Sequence, residues 1–322
     1  NNLYRNNGDG TFTDVTFNAG VSDGVGTSFM SVWIDINKDA WPDLFIINDR
    51  NNWVNALYMN NGDGTFTNNA SSAGLTMPFQ SPMTASFADY DNDDDMDLFI
   101  SNTSNASVIP GAVVDYPFFF VNQNDGTFIN EASNNNLLLE HTNWGGLWLD
   151  YDNDQDQDLY VATDFLNFFT TPSVRNYFLI NNYPNGFVED STVIIGSDAG
   201  ESHAVARGDF NRDGFYDMAV HVDKPSYADL WMNSGNSNNY VKITLEGTVS
   251  NKFAIGSWIA VFVNGQKFTE YTYCGENYLG QNSQHHIFGT GSAILVDSVH
   301  IEYVSGIIDK YYNLAVNQEY QF

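Results

Sequence analysis

Four nine-residue stretches of this 322-residue chain carry oxygen side chains at positions 1, 3, 5 and 9. They are Asp35, Asn37, Asp39 and Asp43 (loop I); Asp89, Asp91, Asp93 and Asp97 (loop II); Asp150, Asp152, Asp154 and Asp158 (loop III); and Asp209, Asn211, Asp213 and Asp217 (loop IV). Carboxylates packed this densely repel one another unless a hard cation sits among them. Ca²⁺ suits that role, taking roughly 6–8 oxygen ligands in a flexible geometry. The backbone carbonyl at position 7, from Trp41, Asp95, Asp156 or Phe215, is expected to complete each shell. One Ca²⁺ per loop is the expectation, about four in all, in structural sites whose binding energy becomes folding energy. An EF-hand is excluded, because position 12, where it needs a bidentate Glu, holds Ile46, Ile100, Val161 or Val220.

The elements that must position these loops repeat with them. The first aspartates stand at 35, 89, 150 and 209, a spacing of about 55–60 residues that marks propeller blades rather than a solenoid. One unit reads as four strands. Ser28–Ile34 enters loop I, Asp43–Ile47 leaves it, Ala56–Asn60 leads into an Asn-Gly-Asp-Gly hairpin turn, and a fourth strand begins at Thr65. The segment Asn2–Phe12 matches Ala56–Phe66, and looser copies lie at Phe119–Phe128, Tyr177–Phe187 and Leu230–Gly235. Residues 1 to 22 therefore supply only the last two strands of a unit. The expected fold is all-β: four full propeller units plus a half unit, part of a larger propeller whose earlier blades precede this sequence.

The Asp-x-Asp/Asn-x-Asp loop followed by an apolar strand, together with the Leu-Tyr-x-Asn-Asn-Gly-Asp-Gly-Thr-Phe strand pair, resembles the FG-GAP/VCBS repeat found in integrin α-subunits and secreted bacterial proteins. Ala40, Asp94 and Gln155 stand where that loop usually has Gly, so those turns should be strained and weaker binders. After Asn236 the repeat stops, and residues 237–322 alternate apolar and polar positions as half-buried strands do, as in Trp258–Val263. Ser250–Gly256, Tyr278–Ser283, His286–Gly291 and Ser305-Gly306 resemble the ASPIC/UnbV domain, although Tyr303-Val304 replaces its usual Trp-Pro. The order of the two resembles that of the cartilage acidic proteins, and implies a propeller over 1–236, a β-sandwich-like domain over 237–322 and an extracellular setting.

Composition narrows the function classes. A formal charge of −29, from 40 acidic and 11 basic residues, excludes the basic footprint that nucleic-acid binding needs. No apolar run reaches the ~18 residues of a membrane span. Cys274 is the single cysteine, so no intrachain disulfide is possible. It reads as a buried thiol with no base nearby in sequence. Weak calcium loops fill where calcium is plentiful, at roughly 10⁻⁴–10⁻³ M, which favours a secreted or cell-surface location. The missing initiator Met points to a processed or trimmed chain. No His-Glu-x-x-His, Gly-x-Ser-x-Gly or nucleotide fingerprint is present, and the adjacent His285 and His286 read as a packed strand end.

In a four-stranded meander the acidic loops and Asn-Gly-Asp-Gly turns share one face. The long insertions Asn102–Pro117 and Asp164–Arg175, rich in apolar and aromatic residues, fall on the other. Long loops on a rigid scaffold are where binding concentrates. The expected function is thus non-catalytic: adhesion or surface assembly, with a protein or glycan of a cell surface or matrix as partner. The alternatives are a polysaccharide-lyase-like enzyme on a propeller scaffold and a self-assembling filament subunit. Asn102-Thr-Ser and Asn105-Ala-Ser also fit the glycosylation acceptor pattern.

Overall fold

The computed structural model describes residues 2–24, 26–49, 54–78, 80–103, 116–140, 142–164, 175–192, 201–222 and 228–322. Most of both long insertions, 104–115 and 165–174, lies outside them.

The chain is nearly all β, built as propeller-like blades. Blade I is the antiparallel meander β3 (Ser28–Ile34), β4 (Asp43–Asn48), β5 (Ala56–Asn60) and β6 (Phe66–Asn68). Blade II is β7 (Ala85–Ala88), β8 (Asp97–Ile100), β9 (Phe118–Asn122) and β10 (Phe128–Asn130). Blade III is β11 (Thr142–Leu149), β12 (Asp158–Asp164), β13 (Tyr177–Asn181) and β14 (Phe187–Glu189). In blade IV, β15 (Ser202–Gly208), β16 (Asp217–Val222) and β17 (Asp229–Trp231) form three strands among the described residues. The pair β1 (Tyr4–Asn6) and β2 (Phe12–Asp14) is the half unit. Two one-turn helices, α1 (Thr16–Ala19) and α2 (Ala70–Ala73), follow β2 and β6 and were not legible as helices. Each buries two small side chains and ends on a left-handed glycine, Gly20 or Gly74.

Second strands such as β4 and β8 are buried along their whole length, because each is sandwiched by the blades on either side. Phe45, Ile47, Phe87, Leu98 and Ile100 share one core between blades I and II. Phe99, Phe119, Trp148, Leu159 and Phe187 share another between II and III, and Leu147, Tyr160, Val205 and Met218 a third between III and IV. First strands of neighbouring blades meet: the Trp148 indole N–H donates to the Ser86 carbonyl at 3.2 Å. Gly146 is needed there, since a Cβ would lie 2.4 Å from the Phe99 ring.

The C-terminal unit consists of two sheets around a common core that includes Val241, Ile259, Phe268, Phe288 and Val299. One sheet has the order β21 (His285–Gly291), β18 (Asn239–Thr244), β24 (Gln318–Gln321), with β18 and β24 parallel. The other has the order β20 (Gln266–Tyr271), β19 (Trp258–Val263), β22 (Leu295–Glu302), β23 (Ile308–Ala315). This unit does not hang from the blades as an appendage. Tyr271 enters the core between blades I and II, with Trp258 and Tyr273 packed against it. The connection from β20 to β21 runs along the first strands of blades II and IV. The Tyr273 hydroxyl donates to the Phe87 carbonyl at 2.8 Å, the Tyr278 N–H to Thr84 Oγ1 at 2.9 Å, and the Ser283 N–H to the Arg207 carbonyl at 3.0 Å.

Two local expectations are corrected. Cys274 is exposed, because it sits in that connection rather than on a strand. Asn102 is fully buried, its amide donating to Gln80 Oε1 and the Tyr116 carbonyl, so it offers no glycosylation acceptor in the folded chain. Asn105 lies outside the described residues.

Candidate metal centres

The four loops are built alike. The carboxylate at position 1 accepts the backbone N–H groups of positions 5 and 6, at 3.0 and 3.0 Å for Asp35, 3.0 and 3.2 Å for Asp89, 3.0 and 3.1 Å for Asp150, and 3.0 and 3.2 Å for Asp209. Reaching that geometry forces position 6 into the left-handed region, where Ala40, Asp94 and Gln155 take φ of 69°, 73° and 87° beside 87° for Gly214. Each non-glycine residue there costs on the order of 1 kcal/mol, as their side chains foretold.

The carboxylate at position 9 is oriented by an asparagine of the neighbouring strand. The backbone N–H of Asn60, Asn122, Asn181 and Asn233 donates to Asp43, Asp97, Asp158 and Asp217 at 2.7, 2.9, 2.9 and 2.7 Å. The same asparagines cap their own hairpin turns, as Asn60 does by accepting the Gly62 N–H at 3.0 Å. The conspicuous Asn of the repeated strand thus holds the turn and the acidic loop together. A second layer of order links neighbouring loops through position 4. Lys38 reaches the Asp94 carbonyl, Asn92 the Gln155 carbonyl at 3.2 Å, and Asn153 the Gly214 carbonyl at 3.1 Å. These donors were missed because their partners lie a whole blade away.

The loops are not equivalent. In loop II, Asp89, Asp91 and Asp93 bring carboxylate oxygens within 4.8 Å of one another, and in loop III Asp150, Asp152 and Asp158 do the same. Buried oxygens of Asp91, Asp95, Asp97, Asp152 and Asp156 find no donor. Burial, reinforced by the charges of Asp93 and Asp91, raises the pKa of Asp89 to about 8 and that of Asp95 to about 7. Burial, with Asp93 next, raises Asp91 to about 6. Asp97, Asp150 and Asp158 are pushed well above the carboxylate range for the same reason, burial first. Unpartnered carboxylates in mutual contact are what a divalent cation neutralises, so these two loops fit the ion that their spacing implies. Asp95 and Asp156 enter with buried side-chain oxygens, where the sequence had suggested only their carbonyls.

Loops I and IV are quieter. Position 3 is Asn in both, and its amide donates to the acid at position 5: Asn37 to Asp39 at 2.9 Å and Asn211 to Asp213 at 2.7 Å. Asp43 is raised to about 7, chiefly by burial, and Asp35 is raised also. At position 7, Trp41 is half exposed, with its ring beside Gly62, and Phe215 is buried against Gly235. Loop IV has a cation of its own. The Lys242 ammonium lies 3.0 Å from Asp209 Oδ2, and the two side chains are 5% and 1% exposed. Repulsion between that ammonium and an incoming Ca²⁺ is worth several kcal/mol, on the order expected for partly buried charges a few ångströms apart. Loop IV, although it alone has Gly at position 6, is therefore expected to be the weakest calcium site, the reverse of the order that the glycine pattern suggested. Lys242→Met should strengthen its binding at least about tenfold by calorimetric titration, and an unchanged isotherm would remove the lysine from the loop's energetics.

The two adjacent histidines take separate partners. His286 Nδ1 lies 2.7 Å from Glu270 Oε2, while His285 Nδ1 is 2.7 Å from Thr244 Oγ1 on the other side of β21. Arg207 completes the first cluster, 3.3 Å from Glu270 and 4.4 Å above the Tyr216 ring. The cavity beside it, lined by Arg207, Glu270, Glu276 and Trp148, holds about 40 Å³. That admits a water molecule but no sugar ring.

The four acidic loops and most of the C-terminal unit fall within stretches that two family models match. The FG-GAP-like repeat family model matches residues 35–100 and 150–220, and the ASPIC and UnbV model matches 247–322. The chain carries both. Among curated proteins it is similar to cartilage acidic protein 1 of Homo sapiens, 24% identical over 259 residues that cover 77% of this chain and 36% of that protein. It is also similar to cartilage acidic protein 1 of Xenopus tropicalis, 24% identical over 237 residues covering 70% and 34%. The chain thus spans about a third of the length of these relatives. Among solved structures, the V. cholerae biofilm matrix protein Bap1 aligns over 90% of this chain and 60% of its own, at 9% identity and a TM-score of 0.34.

Proposed function

We propose that this chain is a calcium-stabilised, non-catalytic binding module of a secreted or surface-attached protein. The observation that carries the reading is the pair of acidic loops II and III, with buried carboxylate oxygens that lack donors, wedged between blades and the C-terminal unit. Calcium there would set the spacing of the blades and supply rigidity instead of chemistry. The similarity to cartilage acidic protein 1, whose name places it in a matrix tissue, supports an extracellular setting. The −29 charge accords with that acidic character. The small cavity lined by Arg207 and Glu270 supports a structural role for those groups. The insertions at 102–117 and 164–175 remain candidate contact loops.

The test is adherence of the labelled chain to isolated extracellular matrix in millimolar calcium and in excess chelator, alongside turnover assays on a polysaccharide panel. Retention in calcium, loss in chelator and no turnover are expected. Product release that disappears in His286→Gln would replace the reading with an enzymatic one.

A further inference from the structure

One cleft runs against the charge of the whole molecule. In a chain with 40 acidic and 11 basic residues, Lys38, Lys267 and Lys310 line a single cavity of about 240 Å³. It opens between loops I and II and the outer face of the sheet β20-β19-β22-β23. Along β19 the outward positions are Trp258, Ala260 and Phe262, so a small residue between two aromatic ones leaves a trough. The His300 ring on β22 lies tilted against that of Phe262, with centroids 4.7 Å apart. Tyr312, 62% exposed, extends the aromatic rim 6.2 Å from His300.

The charges are arranged unevenly. Lys38 and Lys267 share one carboxylate, Asp94, at 2.7 and 2.6 Å, and Lys38 also sits 4.6 Å above the Trp258 ring. Asp35 faces the cavity with its oxygens already taken by the N–H groups of Asp39 and Ala40. Glu302 is the remaining acid on the lining. Lys310 makes no ion pair within 4.0 Å among the described residues, and His300 Nε2 is buried without a partner. Burial, and after it the Lys310 and Lys267 ammoniums, depress the His300 pKa. Cations beside half-buried and exposed aromatic rings, in a volume below the roughly 300–1,000 Å³ of drug-sized sites, match one kind of occupant.

We propose that this cleft binds an acidic sugar unit, its carboxylate or sulfate held by Lys310 and Lys267 and its C–H face packed on Phe262 and Tyr312. The proposal rests on the surface-binding reading and names its ligand class. An acidic peptide would satisfy the lysines and leave the aromatic trough unused.

Titration of the full chain in calcium with four probes tests it: a hyaluronan tetrasaccharide, a chondroitin sulfate tetrasaccharide, a neutral dextran oligosaccharide and a tetraglutamate peptide. The acidic sugars should bind at least tenfold more tightly than dextran or the peptide. The ratio between the first two distinguishes carboxylate from sulfate. Lys310→Gln and Phe262→Ala should each weaken acidic-sugar binding at least tenfold, and Lys310→Gln should leave the melting temperature unchanged. Equal affinity for dextran or tetraglutamate, or wild-type affinity in both variants, overturns the proposal. So does the absence of saccharide binding. If calcium-dependent adherence to matrix persists in that same preparation, only the ligand class fails; if adherence is lost as well, the surface-binding reading fails with it.

Discussion

Chelating divalent cations is expected to lower the melting temperature of this chain by on the order of 10 °C, and readdition of Ca²⁺ should restore it. The magnitude follows from linkage: a site held at about a hundredfold its dissociation constant stabilises by about 2.7 kcal/mol. Loops II and III together therefore contribute about 5 kcal/mol, and about 1 kcal/mol moves the transition of a large domain by ~2–4 °C. Asp97→Ala should remove roughly half the shift, because Asp97 is 1% exposed and has a buried oxygen without a donor. Scanning calorimetry with and without chelator checks this, and coincident traces would refute a structural calcium role.

The pH dependence of the metal-free chain carries a defined sign. The carboxylates of Asp89, Asp91 and Asp95 titrate at about 8, 6 and 7 in the folded chain, raised first by burial and then by neighbouring aspartates. Unfolded Asp titrates near 3.9. Between those limits the folded state binds more protons than the unfolded state, so stability falls as pH rises. In chelator the melting temperature should drop steadily from pH 5 to pH 8.5. In calcium the decline should flatten or reverse, because metal ligands bind deprotonated. Parallel curves in the two conditions would show that the loops do not exchange protons for metal.

Replacing Arg207 by Met is expected to cost about 3–5 kcal/mol of unfolding free energy in urea titration, the usual penalty for stripping one partner from a buried ion pair. Arg207 belongs to β15, yet its guanidinium donates to the Trp148 carbonyl of β11 at 2.8 Å and pairs with Glu270 of β20 at 3.3 Å. Its backbone N–H donates to Asn282 Oδ1 at 2.9 Å. One side chain therefore joins two blades to the C-terminal unit. Burial alone would raise the Glu270 carboxyl, but Arg207 and His286 outweigh it and hold that carboxyl below the usual range. Without Arg207 the carboxylate is left in a poorly solvated place. Adding Glu270→Gln to Arg207→Met should recover a large part of the loss. A loss under about 1 kcal/mol for Arg207→Met would mean that water already screens the pair.

The blades were legible because their signals are local. Ser28–Ile34 and Ala56–Asn60 emerge as β3 and β5 with the expected bounds, since a turn with demanding backbone angles follows each strand and apolar residues fill the strand between. The close approach of acidic side chains in loops II and III was legible for the same reason: spacing along nine residues dictates which side chains converge. The inequality of the loops was not. Asn at position 3 hinted at it, but the decisive partner of Asp209 is Lys242 on β18, from beyond the end of the repeats. Nor could spacing reveal that Lys38 and Lys267 meet at Asp94.

What the sequence determined by itself was thus the repeat, the strand order within each unit and four clusters of acidic side chains, all encoded within a turn or a hairpin. Only the tertiary structure decided which clusters keep unneutralised charge, what the C-terminal unit inserts between the blades and where the scarce lysines gather. Those outcomes depend on burial and on partners from distant strands. An aspartate's need for a cation is set by the dielectric and the donors around it, which its neighbours in sequence supply only in part.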